Sequence, residues 1–117
     1  MVGLMHEMSL MLGIVDLLRK NAAENNIGKI SKVMLVVGDM TMAVPDALQF
    51  AFDSFRDEEL FGDAVLEIQK KPVSGECKDC HQNFGIDDFN FLCPFCSSPH
   101  VRVASGRELY IDYYEGD

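Results

Sequence analysis

Two C-x2-C pairs are the residues of this chain best placed to do chemistry. Cys77-Lys78-Asp79-Cys80 and Cys93-Pro94-Phe95-Cys96 stand twelve residues apart and hold every cysteine of the sequence. Each pair turns the backbone tightly enough to aim two thiolates at one point, and two such turns close a four-sulfur shell, the donor set of a tetrahedral Zn(II) site. A closed shell leaves the metal no open position, so the spacing predicts a zinc that holds a fold together and does not activate water. Two disulfides are the competing use of four cysteines. They suit a secreted mini-protein, whereas the N-terminus lacks the basic region, long apolar stretch and small-residue cleavage site of a signal peptide. A redox C-x2-C fits less well, because one metal explains two copies in a loop-rich segment better than two dithiols do. With the cysteines committed to zinc, no Ser/His/Asp or Cys/His nucleophile arrangement and no acid/base carboxylate pair stands out. The expectation is a binding protein, not an enzyme.

Composition narrows the partners. The 117 residues are 48% hydrophobic, enough for one small domain carrying a metal-stapled module. No run approaches the roughly 18 apolar residues of a membrane span, so a soluble protein is expected. Formal net charge is -9, and a zinc bound by thiolates alone makes the folded chain more acidic still. A polyanion repels DNA, RNA and anionic membranes. Although zinc ribbons are common in nucleic-acid proteins, the expected partner here is a protein or a metal. There is no internal repeat beyond the two Cys pairs, no low-complexity tract and no Gly-rich phosphate loop.

The elements that must carry this module follow from periodicity. Met5 to about Asn25 reads as a helix, with Met8, Met11, Leu12, Val15 and Leu18 at three- and four-residue steps and Leu10, Ile14 and Leu17 widening the apolar face. Asn25, Asn26 and Gly28 supply its stop, and so wide a face is expected to lie on a sheet. Ile30 to Val37 reads as a strand, and its unbroken apolar run from Val33 to Val37, after Ser31 and Lys32, predicts a central position, closed by Gly38 and Asp39. Pro45 opens a second helix with Leu48, Phe52 and Phe55 on one face, predicted to end near residues 57–59. Ala64 to Lys70 and Arg107 to Tyr114 alternate as half-exposed strands. Between them, residues 75–103 are rich in turn residues, as expected where zinc replaces a core, with Phe84, Phe91 and Phe95 packed around it. The fold class is α+β: a small sheet of about three strands packed with two helices, plus an inserted four-cysteine zinc-ribbon module. The expected domains are 1–72 with 104–117, and 73–103.

The chain resembles the HypA/HybF family of hydrogenase-maturation nickel metallochaperones. The resemblance covers nearly the whole length: Met5-His6-Glu7-Met8-Ser9, Gly38 after the first strand, Leu48-Gln49-Phe50-Ala51-Phe52 on the second helix, and the paired C-x2-C module. It implies a cytoplasmic protein that binds Ni(II) near its N-terminus in the larger domain and keeps structural Zn(II) on Cys77, Cys80, Cys93 and Cys96. It further implies delivery of nickel toward the [NiFe]-hydrogenase large subunit, with a maturation GTPase as partner. Carried over by position, His6 is the nickel ligand, the backbone nitrogens of His6 and Glu7 help complete a planar site, and Glu7 bears on delivery or partner contact.

Independently of the family, an imidazole beside deprotonated backbone amides offers the planar nitrogen donors that Ni(II) favours, although a lone His near a chain start is more often a solvated side chain. Family members typically begin at the Met equivalent to Met5, whereas Met1-Val2-Gly3-Leu4 precede it here; if these residues are retained, Met5 contributes an ordinary peptide amide and the local chelate is altered, and translation from Met5, a misassigned start or a different way of holding nickel are the other readings. His81 and His100 flank the cysteines and are competent zinc ligands; exposed or outer positions are the preferred reading for both. Met8 and Met11 are read as core and residues 57–59 as a solvated helix end, with an acidic docking patch as the alternative. The alternative function is a zinc-ribbon protein–protein adaptor without nickel binding, and a nucleic-acid-binding ribbon stands third.

Overall fold

In a computed structural model, the backbone is described for residues 2–117 and the side chains from His6 onward. The α-amine of Met1 therefore lies outside the described residues. The elements in chain order are α1 (Val2–Glu24), β1 (Ile30–Gly38), α2 (Pro45–Asp53), β2 (Val65–Lys71), β3 (Ser74–Cys77), β4 (Asn83–Gly85), β5 (Val101–Ser105) and β6 (Leu109–Gly116), with single 3-10 turns at Asp39–Thr41 and Glu59–Phe61. The fold is α+β, with two three-stranded sheets, ordered β2-β1-β6 and β4-β3-β5. The chain divides into two compact units. One comprises residues 1–36, 43–69 and 110–117, the other 37–42 and 70–109. Among the described residues, no helix is long and apolar enough to cross a membrane.

In the first unit the predicted central strand is central: β1 lies between β2 and β6. Ile30, Val33, Leu35 and Val36 are buried along it. Helix α1 buries Met11, Ile14, Val15, Leu18 and Ala22, a set spaced by three and four residues. The stripe is narrower than the sequence implied, since Leu12 and Leu17 are 46% and 61% exposed. Leu48, Ala51 and Phe52 of α2 and Phe61 complete the core, and Phe61 meets Phe52 edge-on at 5.8 Å between centroids. Burying a side chain of this size contributes about 1.5–3 kcal/mol.

Helix ends show how local chemistry overrides periodicity. The stop of α1 is Asn26, in the left-handed region at φ 57°, with Ile27 N–H donating to Ala22 O at 2.8 Å and Asn26 N–H to Ala23 O at 3.4 Å. This is the Schellman arrangement. Helix α2 ends at Asp53, short of the expected residues 57–59. The Ser54 hydroxyl and the Ser54 N–H both donate to Ala51 O. Beyond it, Arg56 gathers the Phe61 and Ala64 carbonyls and pairs with Asp53, which curls the chain into turns where the pattern suggested another helical turn.

The second unit holds the larger departure. Residues 75–103 read as loop, yet β3 pairs antiparallel with β4, Gly75 opposite Phe84, and with β5, Gly75 opposite Val103. Strands of three to five residues are too short for alternation to register in a sequence. Gly75 is required there: a Cβ would stand 2.7 Å from Val101 Cγ1 and 2.9 Å from Ile86 Cδ1. Gly38 is required too, because its Cβ would fall on the Gly106 carbonyl, where Met40 N–H donates to Gly106 O at 2.8 Å. Ile86 is buried, whereas Phe95 is 64% exposed, so the expectation that Phe95 packs around the ribbon is corrected. Phe91 packs instead on Phe89.

Candidate metal centre

The two Cys pairs are built alike. Cys77 N–H donates to Gln82 O at 3.0 Å and Cys93 N–H to Ser98 O at 3.0 Å. His81 N–H donates to Cys77 O at 2.9 Å and Ser97 N–H to Cys93 O at 2.8 Å. His81 and Ser97, one residue past each pair, share a left-handed backbone at φ 64° and 63°. Each loop thus doubles back on its first cysteine and turns two thiols inward. Cys80 N–H approaches Cys77 Sγ and Phe95 N–H approaches Cys93 Sγ, both at 3.4 Å, so amide dipoles face the sulfurs where negative charge must reside.

The four ligand atoms lie within 4.8 Å of one another. Cys77 Sγ is 3.5 Å from Cys96 Sγ, and Cys80 Sγ is 3.6 Å from Cys93 Sγ. A tetrahedron with Zn–S bonds of about 2.3 Å has sulfur–sulfur edges of about 3.8 Å; the cluster fits zinc. The thiols are free, not disulfide-bonded. Cys77 is lowered to about 6, chiefly because the Cys80 amide donates to it, against burial. Cys96 is pushed up to about 12: the Ser98 amide pulls downward, but the neighbouring Cys77 thiol, burial and the other thiols outweigh it. A cation entering the shell displaces the shared protons.

Outside the sulfurs, Asp79 links the loops. Its Oδ2 accepts from Ser98 Oγ and faces His100 Nδ1 at 3.0 Å, while His100 N–H donates to Ser98 Oγ at 3.0 Å. Sequence reasoning missed Asp79 and Ser98, since nothing local joins residues nineteen apart. Among the described residues neither His81 nor His100 belongs to the thiol cluster; both are exposed.

The other candidates stand in α1. His6 is exposed, its side chain 45% accessible, and Glu7 is fully buried. Both lie inside the helix, where the backbone pattern directs their N–H groups at the carbonyls of Val2 and Gly3. The Glu7 carboxylate accepts Val44 N–H through Oε2 at 2.6 Å, while Oε1 has no hydrogen-bond partner among the described residues and lies 3.8 Å from His6 Nδ1. The structure therefore gathers the four cysteines in one compact unit and sets His6 and Glu7 side by side in the other.

A small α+β unit joined to a four-thiol module that fits zinc defines the class of fold and site, and comparison with known proteins supplies the family. The family described as "Hydrogenase/urease nickel incorporation, metallochaperone, hypA" matches residues 5–116. The chain belongs to the HypA family. It is 42% identical to the hydrogenase maturation factor HypA of Moorella thermoacetica over 113 residues, covering 97% of this chain and all of that protein. It is 36% identical to the HypA of Desulfitobacterium hafniense, covering 95% and 97%. Among solved structures, the solution structure of a HypA protein superposes with a TM-score of 0.72 at 29% identity, covering 96% of both chains. That of the Ni metallochaperone HypA from Helicobacter pylori gives 0.67 at 28%, covering 94% of this chain and 96% of that one.

Proposed function

We propose that this protein carries Ni(II) on the segment around His6 and delivers it for maturation of [NiFe]-hydrogenase, while Cys77, Cys80, Cys93 and Cys96 hold a structural Zn(II). The observation that carries the reading is the family match, which begins at the Met-His-Glu segment and runs through both Cys pairs. In this reading residues 1–72 and 104–117 form the nickel-binding domain and residues 73–103 the zinc-binding one. Binding and release are the whole activity, in the cytoplasm, with no catalytic turnover. The partners are a maturation GTPase and the hydrogenase large subunit.

His6 offers its imidazole to solvent as it stands, but the amides of His6 and Glu7 serve a planar nickel only once the first turn of α1 opens and frees them from the helical ladder. An exposed site of this kind suits metal that must leave again, in contrast to a zinc whose binding energy is part of folding. Titration of Ni(II) into the zinc-loaded full chain tests this. One nickel per chain with a planar visible spectrum is expected, lost in His6→Ala with zinc retained. Nickel uptake that is absent in the parent chain, or unchanged in His6→Ala, overturns it. The adaptor reading rests on Phe89, Leu92 and Phe95, each more than half exposed in the zinc-bearing unit; it is the outcome if no nickel binds.

A further inference from the structure

Glu7 is an unusual residue to bury. It is 0% accessible, and a carboxylate removed from water without full hydrogen bonding is costly. Its two oxygens are used differently. Oε2 accepts Val44 N–H at 2.6 Å, and Val44 is the residue at the head of α2, in extended conformation at φ -88° and ψ 123°. A valine has no side-chain oxygen to cap a helix, and no side-chain cap is present there. The acceptor at the head of α2 thus comes from α1. Among the described residues Oε1 has no hydrogen-bond partner and faces His6 Nδ1 at 3.8 Å.

We propose that Glu7 is a positioning residue for nickel: its buried carboxylate pins α1 to the head of α2 through Val44 N–H, so that the first turn can open around His6 without α1 leaving its seat. This rests on the nickel reading above and adds to it a residue role. Opening the helix before residue 7 frees the amides that a planar site needs, while the anchor fixes the position of residue 7 and hence the direction in which its nitrogen and the neighbouring imidazole point. A side chain already spent on Val44 is a support for the metal-binding segment, not a ligand.

Three variants of the zinc-loaded full chain separate these roles. Glu7→Ala removes the acceptor; Glu7→Gln keeps a carbonyl oxygen for Val44; Val44→Pro removes the N–H along with the valine side chain, at a position already extended at φ -88°. Before any nickel is added, Val44 amide exchange is expected to rise about 10- to 100-fold in Glu7→Ala and to stay near the parent value in Glu7→Gln. With Ni(II), Glu7→Ala and Val44→Pro are both expected to release the metal about tenfold faster, with Glu7→Gln close to the parent chain. Phe61→Leu, matched for loss of thermal stability, controls for general loosening and is expected to release nickel at the parent rate. The proposal is overturned if Val44 exchange is unchanged in Glu7→Ala, or if Val44→Pro keeps nickel like the parent while both Glu7 variants lose it, which would make the carboxylate itself a ligand. If the parent chain binds no nickel, the functional reading fails, and the exchange measurement still decides the anchor. If Glu7→Ala does not fold, Val44→Pro and Glu7→Gln decide it.

Discussion

Arg19 illustrates how much a single side chain on α1 organises. Its guanidinium donates to both carboxylate oxygens of Glu58, at 3.0 and 2.5 Å, reaches Asp16 at 2.7 Å, and stands 5.5 Å above the Phe55 ring. Glu58 is accordingly held below the usual carboxylate range, first by the Arg19 hydrogen bond, against its partial burial. A folded-state value below the unfolded one contributes stability that is present above the ordinary Glu range and lost as pH falls through the lowered value. In Arg19→Met, Glu58 is expected to titrate at its ordinary range by side-chain NMR. Stability at pH 7 is expected to fall only slightly, since both groups are exposed and screened, and the difference should vanish in acid. The sequence showed residues 57–59 only as an acidic end; a partner 39 positions away leaves no local trace. The cysteines were legible because their geometry is set within each four-residue pair. The burial of Glu7 was not, because its partner Val44 is fixed by tertiary packing.

At the scale of elements, the helices and the long strands were legible and the short strands were not. The apolar run of β1 declared a central strand, and Pro45 marked the start of α2, because burial on two faces and proline's fixed φ act locally. The second sheet escaped because its register comes from Gly75 and from cysteines that bind at both ends of a loop. The stop of α1 at Asn25 and Asn26 is legible in the sequence because asparagine tolerates the left-handed conformation that Asn26 adopts. Asn26→Gly is expected to raise thermal stability slightly, because glycine enters that region without steric cost. Asn26→Val is expected to lower it by about 1–2 kcal/mol, the penalty of a Cβ in a left-handed turn. Denaturant titration of the two variants checks the opposite signs.

For the whole molecule, the division of labour is between a core that buries side chains and a module that gathers sulfur. The second unit buries little beyond Val73, Cys77, Ile86 and Cys93 among its apolar residues after position 70, so the metal must contribute what apolar burial does not. Removing zinc from the full chain with a strong chelator is expected to abolish amide protection in β3, β4 and β5 while the α1 and α2 amides stay protected, as read by hydrogen exchange. Protection surviving in β3 would show that the second sheet stands without metal. The position of the sulfurs also bears on how fast the first sheet assembles. Strand β6 pairs with β1 from far down the chain, Lys29 exchanging hydrogen bonds with Asp117 and Gly38 N–H reaching Glu108 O. All of residues 72–108 must be looped out before β6 can dock, and the entropy of closing a loop grows with its length. A metal bridging residues 77 to 96 removes much of that slack beforehand, so zinc loading acts as a tether that shortens the search of β6 for its partner strand.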